Sequence, residues 1–230
     1  MAYSKLTTGN DAFAEMMNEF GIVTVMNARV YDIDENCKFE EKTAEEIRDH
    51  YKKSEGEIAF IDSLKIANVT VEGPSKTVTG GRYSNPLIKF GKSARLEMQD
   101  ALGRANVIEA FGGSVNEYTE KDGDITAMHV TEDFASEKLI IGESFFISKK
   151  SGQQVKVDIM FYRVLPDSIF NLTQDAEGDA TVFDMNADLL TAEIKMPTTE
   201  ASKYIVHGVF YSILPYKSVE DAKKVQPEGN

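Results

Sequence analysis

Gly91-Lys92-Ser93 ends the way a phosphate-binding loop ends, with a lysine poised for the terminal phosphates. Such a loop needs a further glycine five residues before Gly91, so that backbone N–H groups can curl around phosphate oxygens. That position is Pro86, whose φ is fixed and which has no N–H to give. Gly142-Glu143-Ser144 opens like a nucleophile elbow, but its fifth position is Phe146, where a tight strand-to-helix turn needs glycine. Asp32-Ile33-Asp34-Glu35-Asn36 supplies oxygens at the first, third and fifth positions of a calcium loop. Its sixth position is Cys37 in place of glycine, and its twelfth is Thr43 in place of a bidentate glutamate. Asp175, Glu177 and Asp179 read as a solvated hairpin tip. His50, His129 and His207 fall on unrelated segments, none at metal-ligand spacing. The sequence therefore offers no catalytic residue, no cofactor and no metal site, and an enzyme is not expected.

The bulk composition narrows the remaining classes. With 230 residues, 42% of them hydrophobic, the chain is long enough for a substantial core. Its net charge of −13 argues against adhesive wrapping of a nucleic-acid backbone. A lone Cys37 precludes an intramolecular disulfide. The start, MAYSKLTTGND, lacks the layout of a signal peptide, and no apolar run reaches membrane-spanning length. These features predict a soluble protein made in a reducing cytoplasm.

The elements follow from periodicity. Phe13, Met16, Met17 and Phe20 form one stripe of a helix over 10–21, and 22–34 alternates as a strand. A polar insertion at 35–57 contains the capping-box pair Thr43 and Glu46, opening a short charged helix that ends before Gly56. Strand character returns over 58–73. A long connection, 74–93, carries Tyr83, Pro86, Leu87, Ile88 and Phe90, too apolar to stand in water, and is expected to dock on something. From Ala94 to Gln99 apolar and charged residues alternate. Leu102, Ala105, Ile108 and Phe111 then repeat at helical spacing, with Gly112-Gly113 as the stop, predicting a packed helix over about 101–111. Strands are expected at 125–135, 138–150, 153–165, 169–174, 180–190 and 203–214, with a hairpin turn at Lys150-Ser151-Gly152. In 153–165, Val155, Val157, Ile159 and Phe161 face one side. Lys156, Asp158, Met160 and Tyr162 face the other, which is expected to meet water or a partner. The predicted fold is mainly β, a β-sandwich or barrel with one packed α-helix and one or two additional short helices. It forms a single domain over 1–217, followed by a flexible tail at 218–230.

The order TVTGGRYSNPLIKFGKSARLEMQDALG, a helix, and then FFISKKSGQQVKVDIMFYRVLPDSIFNLTQDAEGDATVFDMNADLL resembles the major tail tube proteins of long-tailed bacteriophages. The likeness spans roughly residues 58–190. It includes the Val164-Leu165-Pro166 step, the acidic turn from Asp175 to Asp179, and the Phe183-Asp184 strand. The insertion at 35–57 and the stretch after 195 depart from it. The resemblance implies a structural virion protein whose sheet joins those of its neighbours in a closed six-membered ring. Rings would stack into a hollow tail tube, through which DNA passes during ejection without specific binding. It implies a homo-oligomer, with tape measure, terminator and distal tail proteins as further partners, assembled in the host cytoplasm and located in the virion tail.

Under that reading Gly80, Gly81, Arg82, Tyr83, Pro86, Leu87 and Phe90 are inter-subunit loop candidates. Arg95, Glu97, Lys156 and Asp158 are lumen-facing candidates, because an acidic bore repels phosphate and lets DNA slide. Two rivals remain. One is another ring-forming virion component, such as a tail terminator. The other is a monomeric β-sandwich that binds a carbohydrate or peptide, which would need an exposed aromatic cluster, with Phe145, Phe146, Phe161 and Tyr162 as its source.

Overall fold

The computed structural model describes residues 22–62, 64–72, 75–77, 87–89, 93–100, 105–119, 125–132, 136–147, 154–167, 171–173, 182–196 and 204–216. The strands are β1 (Ile22–Asp32), β2 (Glu57–Ile61), β3 (Leu64–Glu72), β4 (Ser75–Thr77), β5 (Leu87–Lys89), β6 (Ser93–Asp100), β7 (Gly113–Thr119) and β8 (Ile125–Glu132). They continue with β9 (Lys138–Ile147), β10 (Gln154–Pro166), β11 (Asn171–Thr173), β12 (Val182–Leu190), β13 (Ala192–Lys195), β14 (Ile205–Val209) and β15 (Tyr211–Pro215). Two α-helices, α1 (Ala44–Lys53) and α2 (Ala105–Ala110), and a 3-10 turn at Phe39–Glu41 complete the described elements. The protein is mainly antiparallel β with a few short helices, as the sequence predicts.

Among the described residues, nine strands share one sheet in the order β2-β1-β9-β10-β12-β6-β3, with β11 beside β12 and β15 beside β10. The long strand β10 explains the branching. Its last residues, Arg163 to Pro166, pair with β12, while Val157 to Phe161 pair with β15 along the same edge. On its other side β10 runs antiparallel to β9 from Gln154↔Ile147 onward, as expected of strands joined by a tight turn at 150–152. The turn residues themselves lie outside the described residues.

Alternation divides the apolar residues between two cores. Ala28, Val30, Ile61, Leu96, Met98, Ile140, Ile159, Phe161, Met185 and Leu189 fill the concave side together with Val107 and Phe111 of α2. The sheet curls, so that β3 packs back near β1, and α2 packs against β2 and β7. Their neighbours along the same strands, Leu139, Ile141, Met160 and Tyr162, point the other way into a second core with Ile47 and Tyr51 of α1, Phe39, and Ile194 of β13. The middle of the sheet is therefore covered on both faces. The prediction that one side of 153–165 stays open is corrected: Asp158, Met160 and Tyr162 are buried under α1 and its flanking turn.

That cover is built by local rules. Thr43 caps α1 by accepting from the Glu46 N–H at 3.3 Å, and the Glu46 carboxylate accepts from the Thr43 N–H at 2.8 Å. Ile47 and Tyr51 are four residues apart and both fully inward. Tyr51 also reaches back to accept from the Asp34 N–H at 2.9 Å, fixing how the chain enters the helix.

Other expectations need adjustment. The packed helix is present over Ala105–Ala110 and stops where expected, with Gly112 at φ 96, while 101–104 lie outside the described residues. The connection 74–93 is not wholly a loop, since β4 and β5 pair at its two ends. Strand β7, unpredicted because Ser-Val-Asn-Glu-Tyr alternates too weakly, forms a hairpin with β8. The single strand expected at 203–214 is two, and β13 was unpredicted. The helix at 10–21, the tail at 218–230 and most of the loop candidates (Gly80, Gly81, Arg82, Tyr83, Pro86 and Phe90) lie outside the described residues. Leu87 begins β5.

Candidate functional site

Beneath α1 lies a cluster of charges with little access to water. Asp158 on β10 and Glu143 on β9 are directly opposite each other in register. Two like charges so placed would repel unless cations stood between them. Lys52, from the last turn of α1, supplies the first cation. Its ammonium lies 2.9 Å from each Asp158 oxygen, 3.2 Å from Glu143 Oε1 and 2.8 Å from the Tyr216 hydroxyl. Lys156 meets the other Glu143 oxygen at 3.2 Å. The Lys52 and Asp158 side chains are 3% and 0% exposed, so their charges interact through a poorly screening medium.

Tyr216 follows β15 and is fixed by its own N–H donating to the Lys156 carbonyl at 3.1 Å. Its hydroxyl donates to Asp158 Oδ2 at 2.5 Å, and its ring faces Arg48, Lys52 and Lys156. Burial, followed by the neighbouring Asp158 charge, pushes the Tyr216 phenol well above its ordinary value. Burial also pushes the Glu143 carboxyl up, but the ammoniums of Lys52 and Lys156 more than offset this and hold it below the usual range.

The sheet face beyond this cover is different. On β6, Ala94, Leu96 and Met98 enter the concave core, so Arg95 and Glu97 point outward and are exposed. Cross-strand register sets Glu97 opposite Asn186 and Arg95 opposite Asp188 on β12, with Asp184 beside Gln99. Arg95 is ion-paired to Asp167. The result is an acid-rich strip over β6 and β12, exposed at Arg95, Glu97 and Asp188 and half-buried at Asp184 and Asn186.

A third feature is the ribbon of β13 and β14. Strand β14 reads Ile-Val-His-Gly-Val, without an Asp, Glu, Lys or Arg, and none of its residues is buried. Tyr204, Ile205, Val206 and, across from it, Met196 are exposed at 61%, 38%, 38% and 48%. Among the described residues β14 pairs only with β13, leaving its other edge open. Gly208, at φ +73, bends the strand where a side chain would be strained.

All four lumen candidates thus project from the same side of one sheet, but in two environments. Arg95 and Glu97 lie on the open strip. Asp158 is sealed under α1, and Lys156 is half-buried beside it, which corrects their assignment to an open charged face. Sequence reasoning missed Lys52, Glu143 and Tyr216. A signal for Lys52 was present: it lies on the same face of α1 as Arg48, four residues away, and this face must meet the sheet. Among the described residues, the four aromatics named for a monomeric carbohydrate- or peptide-binding module do not form an exposed cluster. Phe146, Phe161 and Tyr162 are buried in the cores. Asp34 spends its oxygens on Asn36, at 2.9 Å, and on His50, at 3.0 Å. Among the described residues no group of three His, Cys, Asp or Glu side chains is placed to hold a metal ion, and no helix is long and apolar enough to cross a membrane.

The fold and its surfaces define a mainly antiparallel β protein with a capped helical cover on one half of its sheet and an open acidic strip on the other. No family model matches the chain, and no curated protein matches it. Among solved structures, it is similar to a chain of the anti-feeding prophage baseplate determined by cryo-electron microscopy with six-fold symmetry. The identity is 8%, the match covers 82% of this chain and 91% of that one, and the TM-score is 0.30.

Proposed function

We propose that this chain is a structural subunit that joins copies of itself into the stacked rings of a phage-type tail tube. The observation that carries the reading is β14, an apolar strand with one open edge on a chain of net charge −13. An edge of this kind is a template for a further strand, and monomeric proteins blunt such edges with charge, proline or cover. Two copies repel each other over most of their surfaces, so their contact belongs where charge is absent. Strand β14, which carries no Asp, Glu, Lys or Arg, is such a place, with Glu193 and Lys195 confined to its partner β13. The acid-rich strip around Glu97, Asp184 and Asp188 suits the bore of the tube, where it would repel phosphate and keep DNA from adhering. Tape measure, terminator and distal tail proteins would cap or fill the assembly, and the subunit would turn over no substrate. Its place is the virion tail, after assembly in the host cytoplasm.

The test is the double variant Ile205→Lys/Val206→Lys. It is expected to remain folded by circular dichroism and to sediment as a monomer at concentrations where the parent chain assembles. Normal assembly of this variant would remove the ribbon from the interface.

A further inference from the structure

The Lys52 cluster holds more than a salt bridge requires, and what it holds is the machinery of a covalent bond. We propose that Lys52 and Asp158 condense into an intramolecular isopeptide bond, with Glu143 carrying the protons. This does not depend on the chain being a tail tube subunit.

Three groups are needed: an amine, a carboxyl carbon within reach of it, and a proton carrier touching the amine. Lys52 Nζ is equidistant, at 2.9 Å, from both Asp158 oxygens. A nitrogen so placed lies within the roughly 3–3.5 Å of a near-attack contact with the carbon between those oxygens. Glu143 Oε1 touches the same nitrogen at 3.2 Å. The Tyr216 hydroxyl, donating to Oδ2 at 2.5 Å, stabilises the oxygen that stays and carries negative charge after addition. Oδ1 is then the oxygen that leaves.

The step balances without any other reactant. The Lys52 ammonium gives one proton to Glu143. The free amine adds to Asp158 Cγ and gives up a second proton as the C–N bond forms. Both protons depart with Oδ1 as water, leaving Glu143 as it began. One C–N bond is made and one C–O bond is broken, with no oxidation or reduction. Free amines and carboxylates do not condense in water, because water is in excess and both partners are charged. Here the side chains are 3% and 0% exposed, and fixed neighbours reach effective concentrations of roughly 10⁵–10⁸ M.

The surrounding charges agree. A buried ion pair is held against the cost of stripping water from both ions, and a neutral amide removes that cost. Condensation consumes the two most deeply buried opposite charges in the cluster. It leaves Glu143 with Lys156 at 3.2 Å and Arg48 with Asp49 at 2.8 Å, so every remaining charge keeps a partner. The product would staple α1 to the central strand β10 across 106 residues of chain.

The experiment is an intact mass of the full-length folded protein, measured under denaturing conditions after prolonged incubation, followed by proteolytic mapping. The expected mass is lower than that of the sequence by one water, and a branched peptide should join the segments holding Lys52 and Asp158. Asp158→Asn should lose one ammonia instead and converge on the same final mass. Glu143→Gln should keep its full mass. A parent chain at its full sequence mass would overturn the proposal whatever the variants do, as would a lost water that maps to any other residue. A Glu143→Gln protein that still loses water would remove Glu143 as the proton carrier.

Discussion

If α1 is the cover of a second core, then truncating its most buried side chain must cost as much as a mutation in the first core. Ile47 is fully buried and packs among Tyr31, Leu139, Met160 and Tyr162 on the outer face of the sheet. Ile47→Ala deletes three carbons, worth about 2.4 kcal/mol of transfer at ~0.8 kcal/mol each. The surrounding groups come from three separate strands and cannot close the gap fully, which adds about 1 kcal/mol for the residual cavity. A loss of about 3–4 kcal/mol should lower the melting temperature of a chain this size by roughly 10 °C. The assay is urea unfolding followed by far-UV circular dichroism at low protein concentration, where assembly does not add to stability. Glu40→Ala, on the exposed turn before the helix, is the control and should stay within about 0.5 kcal/mol of the parent. A loss below about 1 kcal/mol for Ile47→Ala would mean that the helix merely rides on the surface, and the two-core description would be wrong.

Further outcomes follow from the same packing. Cys37 is buried, and burial pushes its thiol up despite nearby Lys42, so maleimide labelling should be negligible in the folded chain and complete in urea. Burial pushes the Tyr51 and Tyr162 phenols up to about 12, so both favour the neutral form in the folded state. Their contribution is fully present below the ordinary tyrosine value of about 10 and is lost as pH rises from there toward 12. Ultraviolet titration should show these two tyrosines ionising only as the chain unfolds; ionisation near pH 10 in the native state would contradict their burial. Thr43→Ala removes one half of the capping box and should cost about 1 kcal/mol in the same urea assay, whereas Thr43→Ser should cost little.

Much of the architecture could be read from local pattern. The alternation of Ala94, Leu96 and Met98 against Arg95 and Glu97 placed β6 correctly and oriented it, because one of its faces stays open. The capping box at Thr43 and the glycine stop at Gly112 marked helix ends through backbone chemistry that needs no tertiary context. The same logic failed on β10, where Lys156 and Asp158 suggested a wet face. A charged residue on an alternating strand looks the same in sequence whether water or an opposite charge receives it, and the opposite charge came from 106 residues away. Lys52, Glu143 and Tyr216 converge only after the sheet and its cover have formed, so no spacing rule joins them. Strand β14 was hidden for a different reason. Its apolar run resembles a core strand, and only the structure shows it uncovered.

Assembly into rings requires copies of the chain to complete one another through that uncovered strand. Sedimentation velocity over a rising concentration series, with negative-stain images of the heaviest species, measures this most directly. The expected result is a discrete ring-sized species that gives way to tubes of uniform diameter. A single monomer boundary at every concentration, with no rings in the images, would contradict it.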